Sequence, residues 1–137
     1  MTSIVVLNKA AIIERCIARV HEEYEGHEAE FLTNFTKQDA IILNIQRAIQ
    51  ACIDLAAHIV KEKSWGIPQQ SRDVFELLVQ HDFIPHQLGD QLKKIVGFRN
   101  VAVHDYQNLN LGVVVSIITQ HLGELLAFRA LCLNNME

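Results

Sequence analysis

Positive charge is in short supply: twelve Lys and Arg stand against sixteen Asp and Glu, for a net charge of −4. That excludes a uniformly basic nucleic-acid binder, so any contact with a polyanion must come from a local patch. Cysteine is scarce as well. The three, Cys16, Cys52 and Cys132, lie far apart among apolar neighbours, which reads as reduced core thiols rather than a disulfide frame or zinc site. The six glycines are scattered, so no glycine-rich phosphate loop is present. Serines at 3, 64 and 71 flank helical segments and Ser116 lies inside one, which leaves no support for a serine triad. There is no His-Glu-x-x-His motif, and His81 and His86 are separated by Pro85; neither a metal nor a cofactor is expected. Residues Met1 to Lys9 lack a basic region followed by a long apolar core, so no secretory signal is expected. The most apolar stretch, 109–133, is broken by Gln120, His121, Glu124 and Arg129, which suits a packed helix better than a membrane span. A cytoplasmic protein without membrane contact is the expectation.

What remains is a chain of 137 residues, half of them apolar. That is enough for one domain over 1–137 to bury a core without disulfides. Helical periodicity dominates it. Val6, Ile13, Ile17, Val20 and Tyr24 mark one amphipathic helix that ends near Gly26. His27 to Phe35 connects, with room for a helical turn. Thr36-Lys37-Gln38-Asp39 resembles a capping box, and Ile41, Ile45, Ala48, Cys52, Leu55, Ala56 and Ile59 continue from it as one stripe. This segment runs to about Lys63, stops at Trp65-Gly66-Ile67-Pro68 and would span ~40 Å. It is the expected central helix. Ser71 is placed to cap a short helix carrying Asp73, Phe75, Leu78 and Val79. Pro85 suits the first turn of the next helix, with Leu88, Leu92, Ile95 and Val96. Asn108-Leu109-Asn110 precedes a last helix with Val114, Ile118, Leu125, Phe128 and Cys132. No segment shows sustained strand alternation. The expected fold is an all-α bundle of about five helices.

Chemistry concentrates in Val96-Gly97-Phe98-Arg99-Asn100-Val101-Ala102-Val103-His104-Asp105-Tyr106. Arg99 offers a permanently charged fork of donors that matches phosphate oxygens. His104 can exchange a proton near neutrality, and Tyr106 carries a phenol open to modification. On an ideal helix Arg99 and Tyr106 share a face, whereas His104 is rotated by roughly 140°. Either the helix loosens before Asp105 or a second copy of the chain completes the site. Lys93 and Lys94 would make this end locally basic. Composition and spacing alone favour a structural role for all three: Arg99 paired with an acid, His104 in the core, Tyr106 closing the bundle. His121, beside Ile118 and Leu125, reads as a core histidine, and the glutamates between Glu14 and Glu30 as a solvated face.

Arg99-Asn100-Val101-Ala102-Val103-His104-Asp105-Tyr106 resembles the Arg-x4-His-x-Tyr motif of the HEPN superfamily. More narrowly it is similar to HepT-type toxins, which are encoded beside a minimal nucleotidyltransferase antitoxin. The resemblance extends to Gln38 to Asn44, Ala51 to Ala56 and Gly66 to Asp73, and so covers most of the chain in order. It implies a dimerising helical bundle in which two motifs meet in a cleft and cleave RNA without a metal. Arg99 and His104 would be catalytic, and Asn100 would support them by hydrogen bonding. Tyr106 would receive AMP from ATP through the partner nucleotidyltransferase, silencing the toxin. Asp54 lies in one of the resembling blocks, but its own reading is a structural one, buried pairing with an arginine. The implied partners are a second copy, the antitoxin and RNA. The alternative is a non-catalytic HEPN module that docks a nucleotidyltransferase or a nucleotide.

Overall fold

The longest run of helical periodicity becomes the axis of the molecule. In the computed structural model, which describes residues 3–135, α3 occupies Phe35–Lys63, and the whole stripe from Ile41 to Ile59 is buried. Its start differs from the expected capping box. Asn34, with extended backbone, is the N-cap and accepts the Lys37 N–H at 3.0 Å. An amide oxygen in that position outcompetes Thr36, which already lies inside the helix. Asp39 is thereby left free for a tertiary partner. The other end matches the breakers: Ser64 turns left-handed at φ 56°, and its N–H returns to the carbonyls of Val60 and Lys61.

α1, Ile4–Tyr24, folds back antiparallel along α3, and the one-turn α2, Glu28–Phe31, lies in the connection. Gln38 is buried and donates through Nε2 to the Phe31 carbonyl at 2.8 Å, which ties α2 onto α3. Phe31 is fully buried and meets Tyr24 edge-on at 5.6 Å. Lys37 reaches the Glu23 carboxylate at 2.9 Å. Asp54 pairs with Lys9 at 3.1 Å and accepts from Gln50 at 2.9 Å; a lysine of α1, not an arginine, holds it, because α1 is the element that crosses that part of α3.

α4, Asp73–Gln80, and α5, His86–His104, form the next pair. Ser71 does not cap α4. Arg72 takes the N-cap position without a side-chain bond, and the Ser71 hydroxyl is drawn to α5. Asp73 instead turns back to accept the N–H groups of Gln69 and Gln70, at 2.8 and 3.1 Å. Pro85 sits at the N-cap of α5, one residue before the helix. Gly89 permits the close approach of α4 and α5, since a Cβ there would lie 2.3 Å from Val79 Cγ2.

The last rod, Leu111–Asn135, is capped by Asn110, whose side chain accepts from Gly112 and Val113. It comprises α6, Leu111–Ser116, a π-helical turn, Ile117–His121, and α7, Leu122–Asn135. The π turn has no counterpart in the sequence pattern. Counted as one, this rod completes the five expected helices, with α2 as an extra turn. α3 packs against α1, α4, α5 and α7, and α7 also touches α1 and α5. Phe75 and Phe128 meet edge-on at 5.4 Å within that core, and all three cysteines are buried and free. Both α3 and the last rod are long and apolar enough to cross a membrane by length and composition; the apolar stripe of α3 is taken up by neighbouring helices.

Ile45 is fully buried on α3, so Ile45→Ala is expected to lower the unfolding free energy by about 2–5 kcal/mol. Asn34→Ala, which removes a cap at the surface, should cost about 1 kcal/mol. Urea denaturation followed by circular dichroism measures both, and equal losses would contradict these placements.

Candidate functional site

α5 stays helical through His104, and Asp105 is its C-cap. The helix therefore does not loosen inside the motif, and Arg99 and His104 keep their separation of roughly 140° around the axis. The structure sends them to different surroundings. Arg99 turns towards the loop before α4, where Nη2 donates to Ser71 Oγ at 2.8 Å. Its Nε is buried without a partner among the described residues, and no carboxylate among them pairs with the guanidinium. The charge is thus uncompensated, contrary to the structural reading in which an acid holds it. Arg72 brings a second guanidinium alongside α5: a Cβ on Gly97 would lie 2.9 Å from Arg72 Nη2.

His104 is exposed at the end of α5 and makes no hydrogen bond among the described residues, so it is not a core histidine. Asn100 is likewise exposed. Tyr106 does not continue the face of Arg99, because it opens a separate 3-10 turn, Tyr106–Asn108. Asp105 holds that turn by accepting from Asn108 Nδ2 at 2.7 Å. The Tyr106 ring is 43% exposed, and its hydroxyl donates to the Asp39 carboxylate on α3. Partial burial of the phenol pushes its pKa up to about 12, assisted by the hydrogen bond to Asp39 and that residue's negative charge.

Local basicity is smaller than the sequence suggests. Lys93 is engaged by Glu76 at 2.6 Å and Asp90 at 3.5 Å, whereas Lys94 remains exposed. Lys94 borders a groove of about 540 Å³ between α5 and α6, lined chiefly by Phe98, Val101, Leu109, Val113 and Ile117. Val101 and Val113 are 39% and 47% exposed there. Of the other histidines, His121 lines this same groove. His121 contacts Glu124 at 3.0 Å and is only half-buried, because the π turn tilts it from the core face. His81 stacks on Trp65 with centroids 4.7 Å apart. Among the described residues, no three His, Cys, Asp or Glu side chains gather as a metal site.

Two neighbours escaped the sequence reading. Ser71 looked like a helix cap, and Asp39 like the last member of a capping box. The signal lay in their blocks, Gly66 to Asp73 and Gln38 to Asn44, both of which carry the family resemblance. Chemically, the end of α5 offers an uncompensated guanidinium, a free imidazole and a reachable phenol. That set suits a phosphodiester.

Comparison with known proteins agrees in sequence and in shape. Residues 13–131 match the family described as Ribonuclease HepT-like. The chain is 51% identical over 120 residues to the mRNA nuclease HepT of Shewanella oneidensis, covering 88% of this chain and 90% of that one. It superposes on a tri-AMPylated HEPN toxin of Shewanella oneidensis, solved in complex with its MNT antitoxin. That match has a TM-score of 0.92 and 47% identity, over 97% of this chain and 99% of the other. A toxin–antitoxin structure solved with AMP-PNP matches at TM-score 0.93 and 46% identity, over 97% and 100% of the two chains. With the family matched across the stretch that carries Asp39, Ser71, Arg99, His104 and Tyr106, this chain belongs to the HepT-like ribonucleases.

Proposed function

We propose that this protein is the toxin of a toxin–antitoxin pair, an endoribonuclease that acts as a homodimer and is silenced when a nucleotidyltransferase antitoxin transfers AMP to Tyr106. One observation carries the reading. An arginine without a counter-ion, a free histidine and a reachable tyrosine share the end of α5, in a chain half identical to an mRNA nuclease. We place the protein in the cytoplasm, where mRNA is found.

The reaction proposed uses the substrate's own nucleophile. The RNA 2′-oxygen attacks the adjacent phosphorus, the bond from phosphorus to the 5′-oxygen breaks, and the products are a 2′,3′-cyclic phosphate and a 5′-hydroxyl. One group must accept the 2′-hydroxyl proton and another must donate a proton to the leaving oxygen. His104 of each of two protomers can divide these roles. The guanidinium of Arg99 stabilises the charge that builds up on the phosphoryl oxygens. Because Arg99 and His104 diverge on one helix, two copies supply what one cannot align, and the apolar groove beside the motif gives a second copy a surface to cover. Asn100, exposed one residue from Arg99, is placed to hydrogen-bond the RNA. AMP on Tyr106 adds a negative phosphodiester and a purine at the same end of α5, which repels and blocks the RNA backbone.

Arg99→Ala and His104→Ala are each expected to lower RNA cleavage by at least ~10²-fold while the dimer persists; gel assays with a labelled transcript, beside light scattering, test this. Full activity in either variant would refute the site, whereas no cleavage by the purified wild-type protein would favour a non-catalytic docking module. Ser71→Ala frees the Arg99 fork and should cost about tenfold, the worth of one such hydrogen bond. Tyr106→Phe should still cut RNA but gain no AMP mass from antitoxin and ATP; a variant still modified and silenced would move the acceptor elsewhere.

A further inference from the structure

Among the described residues, the phenol that is to be modified has a single hydrogen-bond partner, and it is a base. The Tyr106 hydroxyl donates to the Asp39 carboxylate across 67 positions of sequence. Asp39 lies exposed in the second turn of α3. Among the described residues it has no other hydrogen bond and no cation within ion-pair distance. The charged residues next to either partner in sequence do not compete for the contact. Lys37, two residues earlier, is held by Glu23 of α1, Asp105 is held by Asn108, and His104 makes no bond to the phenol. Other acids of the chain differ: Asp54 is paired with Lys9, Asp90 lies beside His86 and Lys93, and Asp73 serves the backbone.

We propose that Asp39 is the proton acceptor for nucleotide transfer to Tyr106. This rests on the reading of Tyr106 as the AMP acceptor. In the step, Tyr106 Oη attacks the α-phosphorus of ATP. The new oxygen–phosphorus bond forms as the bond from the α-phosphorus to the bridging oxygen breaks, and pyrophosphate leaves with that electron pair. The phenolic proton passes to the Asp39 carboxylate and from there to water, which reaches Asp39 freely. With the phenol's pKa near 12, free phenolate is scarce at neutral pH, so proton removal must accompany attack rather than precede it. The same contact orients the nucleophile. The hydroxyl hydrogen points at Asp39, which leaves the oxygen lone pairs directed outward to an incoming nucleotide.

The test uses the full chain with its antitoxin, magnesium and ATP at neutral pH, with AMP transfer timed by intact mass and mapped by peptide. Asp39→Asn keeps the shape but cannot take the proton, and transfer to Tyr106 should slow by at least ~10²-fold. Replacing Tyr106 by trifluorotyrosine, whose phenol ionises more readily, should restore most of the rate in the Asp39→Asn protein. A structural role for Asp39 would give no such rescue. Transfer at the wild-type rate in Asp39→Asn, still mapped to Tyr106, would overturn the proposal while leaving Tyr106 as acceptor. Slow transfer without rescue by trifluorotyrosine would overturn it too, reducing Asp39 to an orienting contact. Absence of AMP on Tyr106 of the wild-type protein would instead remove the reading on which the proposal rests.

Discussion

The buried face of α3 is the surface against which α1, α4, α5 and α7 all pack, and the positions of the functional side chains follow from that. α5 cannot shift along α3 without losing Leu92, Ile95, Val96 and Phe98 from the core. Its last turn is therefore presented at a fixed height, with its polar residues outside. Burial of large aliphatic groups contributes on the order of 1.5–3 kcal/mol each, whereas the exposed polar contacts of the site contribute far less. The rigid apolar frame decides where Arg99, His104 and Tyr106 stand. The contacts of Ser71 and Asp39 then decide how two of them point.

Much of this frame was legible in advance because buried stripes repeat with helical period: every apolar position expected on the face of α3 is buried, from Ile41 to Ile59. The ends of helices were less legible. Asn34, not Thr36, caps α3, and Ser71 caps nothing. Ser, Thr, Asn and Asp serve equally well as caps or as tertiary partners, and only the fold decides which. The motif itself was visible as a spacing, but its environment was not. That Arg99 would lack a carboxylate, and that Tyr106 would leave the helix to meet α3, are long-range outcomes without a local sign. The π turn at Ile117–His121 is of the same kind.

In the function proposed, the divergence of Arg99 and His104 on an unbroken helix leaves one chain with half of a site. A single protomer can bind a phosphate through its guanidinium, but it does not aim its imidazole at the same atom. Dependence on a second copy then has a physical origin in helix pitch rather than in any flexible segment. In the function proposed, AMP on Tyr106, two residues after His104, would act on both halves of such a site.

The contacts at Ser71 and Asp39 have a further consequence during synthesis. Ser71 precedes Arg99 by 28 positions and Asp39 precedes Tyr106 by 67. At ~5–20 residues per second, the antiparallel pair of α1 and α3 is synthesised some seconds before the motif. The scaffold is waiting when the reactive residues emerge, and the nascent toxin acquires its orienting contacts only once α5 can dock.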